Sequence, residues 1–88
     1  MHFVYVLMDG GSGRLYVGQT NDISIRLNQH RSGQTWTTAR MNDVRLIFYE
    51  AFRAKGDALR RESYFKTSKG KISLRQIIRE SLSVSVSE

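Results

Sequence analysis

The sequence predicts a small α+β protein, in which helices flank an antiparallel three-stranded sheet. Two β-prone runs near the N-terminus are separated by the Gly-rich stretch 9–13, which is typical of a hairpin turn. A third run rich in β-branched and aromatic residues spans positions 44–52. The remaining segments carry apolar residues at helical spacing. The predicted element order is therefore β-β-α-β-α-α.

The first two strands are expected to bring two phenols together. The first strand, over residues 2–8, is apolar on both faces, as in a central strand. The second, over residues 14–18, is short and ends at Gly18. Pairing of the two strands places Tyr5 near Tyr16, although each tyrosine alone is typical of ordinary sheet packing. Gly18 is expected to let a substrate or a backbone approach closely.

The helices are predicted from caps and periodicity. Asn21 or Asp22 is the expected N-cap of a first helix that runs to about residue 32, with Gly33 as its stop. Residues 34–43 are predicted to form a loop. A second helix over 57–67 is expected to break at 68–70, and a third to cover 71–81. The Ser/Val alternation of 81–88 predicts a frayed tail, with an edge strand as the alternative, after one domain over 1–80.

The charge balance favours a polyanionic partner. Fourteen Lys and Arg residues against eight Asp and Glu residues give a net charge of +6, and such a surface binds phosphates by releasing counterions. A basic surface without a partner is the alternative. The absence of cysteine excludes disulfides and thiolate zinc sites. No apolar run is long enough to span a membrane, and the N-terminal residues lack the features of a signal peptide. We therefore expect a cytoplasmic protein.

The first helix carries two groups that suit phosphate chemistry. Ile23 and Leu27 define its predicted buried stripe, His30 lies within that stripe, and Arg26 borders it. A lone histidine at such a position is usually a hydrogen-bonded core residue. Arg26 lies one turn earlier and points towards the same place, and an arginine fork suits a phosphate oxygen.

The second helix places a carboxylate beside the core. Ala58 and Phe65 face inwards, and Glu62 lies next to them with Leu59 on its other flank. A buried carboxylate is costly unless it is paired or binds a metal. Two explanations follow, a salt bridge to Arg26 or another basic neighbour, or a divalent cation at a cleft. One carboxylate with waters and substrate phosphate oxygens suffices for magnesium.

Taken in chain order, these elements resemble the GIY-YIG endonuclease superfamily. The resemblance covers residues 2–75 and extends to the small stand-alone bacterial members and the nuclease domain of the excision-repair incision subunit. It is carried by the stretches 4–6, 16–18, 20–30 and 58–62, which contain Tyr5, Tyr16, Gly18, Arg26, His30 and Glu62. The resemblance implies a metal-dependent endonuclease that hydrolyses DNA phosphodiesters with one Mg²⁺ or Mn²⁺, in DNA repair or recombination.

The resemblance also implies a role for each site residue. Glu62 would bind the metal, and Arg26 would stabilise the phosphoryl charge. Tyr5 or Tyr16 would be the general base or would position the water. His30 would hydrogen-bond a tyrosine or share the proton transfer. The residues expected to contact DNA are Gly18, Arg31, Arg40, Arg60, Lys66 and Lys69.

Two departures from the family pattern keep other functions open. Val4 stands where the family name has Gly, and residues 72–76 lack the Asn that many members carry after the glutamate. Ser68, Lys69 and Gln76 are the candidates to replace that Asn. One alternative function is a non-catalytic nucleic-acid-binding module, and another is a protein-interaction domain with structural tyrosines. The sequence also leaves open whether the substrate is DNA or RNA, and whether the protein forms a homodimer or binds a partner protein.

Overall fold

A computed structural model describes residues 1–33 and 43–87 of the chain. Arg40 lies outside these residues, and so does the predicted loop except for position 43. The elements are β1 (His2–Asp9), β2 (Leu15–Thr20), α1 (Ile23–Arg31), β3 (Val44–Phe52), α2 (Lys55–Phe65), α3 (Ser68–Ile77) and α4 (Arg79–Ser87). The predicted α+β class is confirmed.

The sheet has the order β2-β1-β3, and both pairings are antiparallel. β1 is therefore the central strand, and its residues from Val4 to Asp9 are buried, as its apolar pattern predicts. The β1–β2 register sets Tyr5 opposite Gly18 and Leu7 opposite Tyr16. Tyr5 and Tyr16 are thus diagonal neighbours on one face, a separation that aromatic side chains bridge.

The two faces of β1 have different partners. Val4 and Val6 belong to the hydrophobic core, which Phe65 of α2 and Leu74 of α3 complete. Tyr5 points to the opposite face, because side chains alternate along a strand, and it contacts α1 there. The core thus holds β1 rigidly from one side and presents its phenol on the other.

The junction between α2 and α3 differs from the prediction. Residues 68–70 begin α3 instead of breaking a helix, because Thr67 is its N-cap and accepts a 3.0 Å hydrogen bond from the Gly70 amide. A Cβ on Gly70 would overlap the backbone at Tyr64 and Phe65. The glycine therefore serves close packing of one helix end against the next.

The C-terminal segment also differs from the prediction, since a helix, α4, occupies Arg79–Ser87 in place of a frayed tail or an edge strand. Leu82 packs against the core, and its amide donates to the Ile78 carbonyl at 2.8 Å. Leu82 and Ile78 are one helical turn apart, and their contacts stabilise the start of α4. The Ser/Val alternation that follows does not display this helical spacing. Within the described residues no helix has the length and apolar character that a membrane crossing requires.

Candidate active site

Helix α1 carries Arg26 and His30 to the sheet. Its N-cap is Asp22, whose carboxylate accepts a 3.0 Å hydrogen bond from the Ile25 amide. His30 is buried, and Arg26 is half-buried together with the apolar stripe of the helix. Both positions agree with the helical spacing of the sequence.

Three side chains form a hydrogen-bonded series. The Arg26 Nε–H donates to the Tyr5 hydroxyl at 3.3 Å, and that hydroxyl lies 2.8 Å from His30 Nε2. Arginine only donates, so the Tyr5 oxygen accepts a hydrogen bond from Arg26. In the bond between Tyr5 and His30, the tautomer of the imidazole sets which residue donates.

Tyr16 completes the cluster through ring contacts. Its ring meets His30 edge to face, with centroids 5.0 Å apart, and lies 6.2 Å from the Tyr5 ring. The Tyr5 and His30 rings are 5.7 Å apart, also edge to face. These distances are in the range of favourable aromatic pairs. We call Tyr5, Tyr16, Arg26 and His30 the phenol cluster.

The protonation states of the cluster follow from its burial. Burial raises the pKa of Tyr5 to about 12, although the hydrogen bond from Arg26 acts in the opposite direction. Burial lowers the pKa of His30 below its ordinary value, and the charge of Arg26 lowers it further. Near neutral pH the cluster therefore holds a protonated phenol, a neutral imidazole and a guanidinium.

Gly18 makes room for the phenol of Tyr5. A Cβ at this position would overlap the end of the Tyr5 ring, which lies across it in the β1–β2 pair. The close approach that we predicted at Gly18 is therefore made by a side chain of the protein itself. A contact between Gly18 and nucleic acid stays a prediction.

Glu62 lies on α2, which packs against β1 and β2. Its side chain is 21% exposed and forms a salt bridge of 3.6 Å with Lys66, one turn later. Of the two basic partners considered, the structure thus shows the neighbour and not Arg26. Leu59, expected beside the core, is 42% exposed, while Ala58 and Phe65 are buried as predicted.

Comparison with known proteins identifies the architecture. A family model described as the GIY-YIG catalytic domain matches residues 1–76. This chain belongs to the GIY-YIG family. Its relatives include a UPF0213 protein of Streptococcus agalactiae, 42% identical over 66 residues and 73% of each chain. A UPF0213 protein of Bacillus pumilus is 43% identical over 68 residues, which cover 75% of this chain and 67% of the relative.

A solved structure supports the same assignment. The solution NMR structure of a UPF0213 protein from Bacillus halodurans is similar to this GIY-YIG domain with a TM-score of 0.53 and 32% sequence identity. The similarity covers 86% of this chain and 83% of that one. The predicted family and the predicted fold are therefore both confirmed.

The donor set of this GIY-YIG domain fits a metal held mainly by substrate and water. Among the described residues, no group of three or more His, Cys, Asp or Glu side chains converges on one point. Glu62 is partly exposed, and Lys66 reaches it only at 3.6 Å. Magnesium is commonly bound through one or two carboxylates together with substrate phosphates, whereas calcium requires more protein oxygens. A Mg²⁺ or Mn²⁺ ion at Glu62 is compatible with this arrangement.

Most of the basic residues expected to contact DNA already have a protein partner. Arg31 donates from Nε to the Val44 carbonyl at 3.3 Å, Arg60 pairs with Asp57 at 2.5 Å, and Lys66 pairs with Glu62. Lys69 is exposed on α3, as are the other two candidates for the missing Asn, Ser68 and Gln76. Contacts of these residues with DNA stay predictions.

Two further basic residues were not among those expected to contact DNA. Lys71 and Arg75 lie one turn apart on α3, and both line a cleft that also contains Tyr16 and Lys66. Their signal in the sequence is an i,i+4 cationic pair beside the buried Leu74, within the segment that the sequence itself predicts to be helical.

Proposed function

We propose that this GIY-YIG domain is a metal-dependent endonuclease that hydrolyses phosphodiester bonds of DNA. The observation that supports this best is the series from Arg26 through the Tyr5 hydroxyl to His30 Nε2, with Tyr16 packed against it. A guanidinium, two phenols and an imidazole fixed around one point are groups that position a phosphate and a water molecule.

Arg26 is the residue that would bind the phosphate undergoing cleavage. Its Nε–H is engaged by Tyr5, and one terminal nitrogen, Nη1, donates to Gln29 Oε1 at 2.9 Å. These bonds fix the plane of the guanidinium and leave other N–H groups for a phosphate oxygen. A preorganised donor of this kind stabilises the negative charge that grows on the phosphate in the transition state.

The two tyrosines would have different tasks. The pKa of about 12 at Tyr5 makes it a poor base near neutral pH, and its hydroxyl is already occupied by Arg26 and His30. We therefore assign Tyr5 to positioning Arg26 and His30. Tyr16 is within hydrogen-bonding reach of Tyr5 and Arg26 and also lines a cleft, so Tyr16 is the phenol that would orient the attacking water.

Glu62 would bind the metal, and its carboxylate would then give up the salt bridge to Lys66. A divalent cation at this place would counter the charge on the phosphate oxygens. The expected products carry a 5′-phosphate and a 3′-hydroxyl. The net charge of +6 supports DNA as the partner. A cytoplasmic role in DNA repair or recombination belongs to the same proposal.

Plasmid nicking tests the proposal. The wild type is incubated with supercoiled DNA in Mg²⁺, in Mn²⁺ and in EDTA, beside the variants Glu62→Gln and Arg26→Gln. Nicking should require metal, and each variant should be slower by about 100-fold or more, as when one preorganised transition-state group is removed. Glu80→Gln and Arg53→Gln are matched controls, because both residues are exposed and lie outside the site.

The absence of an Asn in residues 72–76 favours one second candidate, a nucleic-acid-binding module without efficient chemistry. That function predicts salt-sensitive DNA binding that is equal with and without metal, and equal in Glu62→Gln. Equal nicking in all five proteins would reveal a contaminant and would reject the endonuclease proposal.

A further inference from the structure

A cleft of about 560 Å³ follows the β2 edge of the sheet, between β2, the end of α2 and α3. Its volume is in the range of ligand-binding clefts. Its base is closed by the buried side chains of Phe65 and Leu74. Three cationic residues stand around it, Lys66, Lys71 and Arg75.

The cations of the cleft have little protein charge to balance them. Lys71 and Arg75 are exposed and lie one turn apart on α3, where like charges repel. Among the described residues neither forms a salt bridge, and only Lys66 has a carboxylate partner, Glu62. An anionic ligand would therefore gain from all three, and would relieve the repulsion between the two on α3.

The exposed surface indicates which anionic ligand fits. Phe65 is fully buried and Leu74 is 2% exposed, so neither offers a face on which a nucleobase stacks. The ring of Tyr16 is engaged by His30 at a centroid distance of 5.0 Å. The remaining lining is apolar, and all the charged side chains around the cleft are cationic, which suits a sugar-phosphate backbone.

The cleft is continuous with the candidate active site through two residues. Tyr16 contacts His30 in the phenol cluster and also lines the cleft. Lys66 also lines the cleft and contacts the carboxylate of Glu62. A chain of phosphates that enters the site would therefore continue past Lys66 towards α3.

We propose that this cleft is a second phosphate subsite, which binds the phosphodiester next to the one being cleaved, on the same strand. Lys71 and Arg75 hold that phosphate, and Lys66 lies between the two subsites. The position relative to the cleaved bond rests on the endonuclease function proposed above, whereas the binding of a phosphate backbone does not. A substrate must then extend at least one nucleotide beyond the cleaved bond on the cleft side.

Binding in EDTA tests the cleft without catalysis. Affinities of the full chain for a single-stranded and a duplex oligonucleotide are measured over a series of salt concentrations. Lys71→Gln/Arg75→Gln should weaken binding and reduce the salt slope by about 1, since the two residues together neutralise one phosphate. The control Arg53→Gln/Arg79→Gln removes the same charge from exposed positions outside the cleft. Equal slopes for the two double variants would overturn the proposal.

A competitor of the same charge tests the chemistry of the ligand. An acidic peptide with as many charges as the oligonucleotide should displace it poorly, because its carboxylates are not spaced like the phosphates of a nucleic-acid backbone. Equally strong competition that disappears in Lys71→Gln/Arg75→Gln would show a general acidic-peptide site and would overturn the assignment to DNA.

Neutral methylphosphonates locate the subsite. The linkage on either side of the cleaved bond is replaced in turn, and cleavage by wild type and Lys71→Gln/Arg75→Gln is compared. The replacement on one side should slow the wild type several-fold and leave the double variant unaffected. If the replacement and the mutation act independently, the cleft does not bind the phosphodiester next to the cleaved bond, and that assignment is overturned. A wild type that does not cut rejects the endonuclease function, while the EDTA experiment still decides whether the cleft binds DNA.

Discussion

The phenol cluster and the Glu62 region differ in how firmly the fold holds them. Tyr5 is 2% exposed, His30 is 1% exposed, and hydrogen bonds of 2.8 and 3.3 Å join them to each other and to Arg26. Among the residues that the structure describes, Glu62 forms an ion pair only with Lys66, at 3.6 Å, and the Lys66 side chain is 54% exposed. One region is closed and preorganised, and the other is open and balanced by an exposed cation.

This difference separates stability from activity. A change in the phenol cluster disturbs buried hydrogen bonds and packing, which are costly to lose. A change at Glu62 disturbs an exposed ion pair, which contributes little to stability. We therefore expect substitutions in the first region to lower both the free energy of unfolding and the cleavage rate. Substitutions in the second should lower the rate alone.

The largest expected loss of stability is at Gly18. In Gly18→Ala the new Cβ overlaps the Tyr5 ring, which cannot swing aside because its hydroxyl is bound to His30 and Arg26. Overpacking of this kind costs about 2–3 kcal/mol. Urea unfolding followed by circular dichroism measures the change.

Gly56 provides the matched control for that substitution. A Cβ at Gly56 meets no atom within 4 Å, and the residue lies in α2. Gly56→Ala should be neutral or slightly stabilising, because alanine is the better helix former. A loss of the same size at both glycines would mean that the Tyr5 ring is not held tightly.

Tyr5→Phe should cost about 1–3 kcal/mol, because it leaves the buried His30 Nε2 and the Arg26 Nε–H without their shared partner. Tyr49→Phe is the control, since Tyr49 is 54% exposed on β3 and contacts Phe3 through its ring. Urea midpoints of the two variants are compared with the wild type. A smaller loss in Tyr5→Phe than in Tyr49→Phe would contradict a closed cluster.

Tyr5→Phe should also change the response to alkali. The pKa of Tyr5 is 10.0 in an unperturbed phenol and about 12 in the fold, so folding favours the protonated form. The associated stability is complete below pH 10 and is lost as the pH rises through 12. The difference in unfolding free energy between wild type and Tyr5→Phe should therefore shrink between these values. A constant difference would mean that the phenol is not buried.

From the lowered pKa of His30 we expect a smaller change in stability at acidic pH. The pKa of His30 is lowered in the fold, so below about pH 6.5 the unfolded chain takes up a proton that the folded chain refuses. This contribution is complete above that pH and is lost as the pH falls through the lowered pKa. Wild type should therefore lose more stability than His30→Gln between pH 7.5 and 5, by at most about 1.4 kcal/mol per unit of pH. Parallel losses would contradict a buried, neutral imidazole.

Local patterns predict the closed region well. The hairpin turn and the period of a strand are enough to bring Tyr5 near Tyr16, and helical spacing is enough to place Arg26 beside His30. Asp22 signals the start of α1 because its side chain caps the neighbouring backbone. Each of these features follows from a local pattern, although the resulting hydrogen bonds of Tyr5 join residues 21 and 25 positions apart.

The open region depends on how the backbones of α2 and α3 pack at their junction, which the sequence pattern does not display. Gly70 reads as a helix breaker, yet its role is to let α3 approach the end of α2. The shifted start of α3 sets Lys71 and Arg75 beside the β2 edge. The sequence leaves several cations as partners of Glu62, and the structure gives it Lys66, at the i,i+4 spacing of a helix.

The smallest expected change in stability is at Glu62, where the rate should change most. Glu62→Gln removes an ion pair that spans 3.6 Å between a side chain 21% exposed and one 54% exposed, so solvent screens it. The unfolding free energy should stay within about 0.5 kcal/mol of the wild type. Urea unfolding of the variant used in the nicking assay measures both quantities on one sample. A loss of more than about 1 kcal/mol would place Glu62 with the phenol cluster as a structural residue, and its effect on nicking would then report misfolding instead of metal binding.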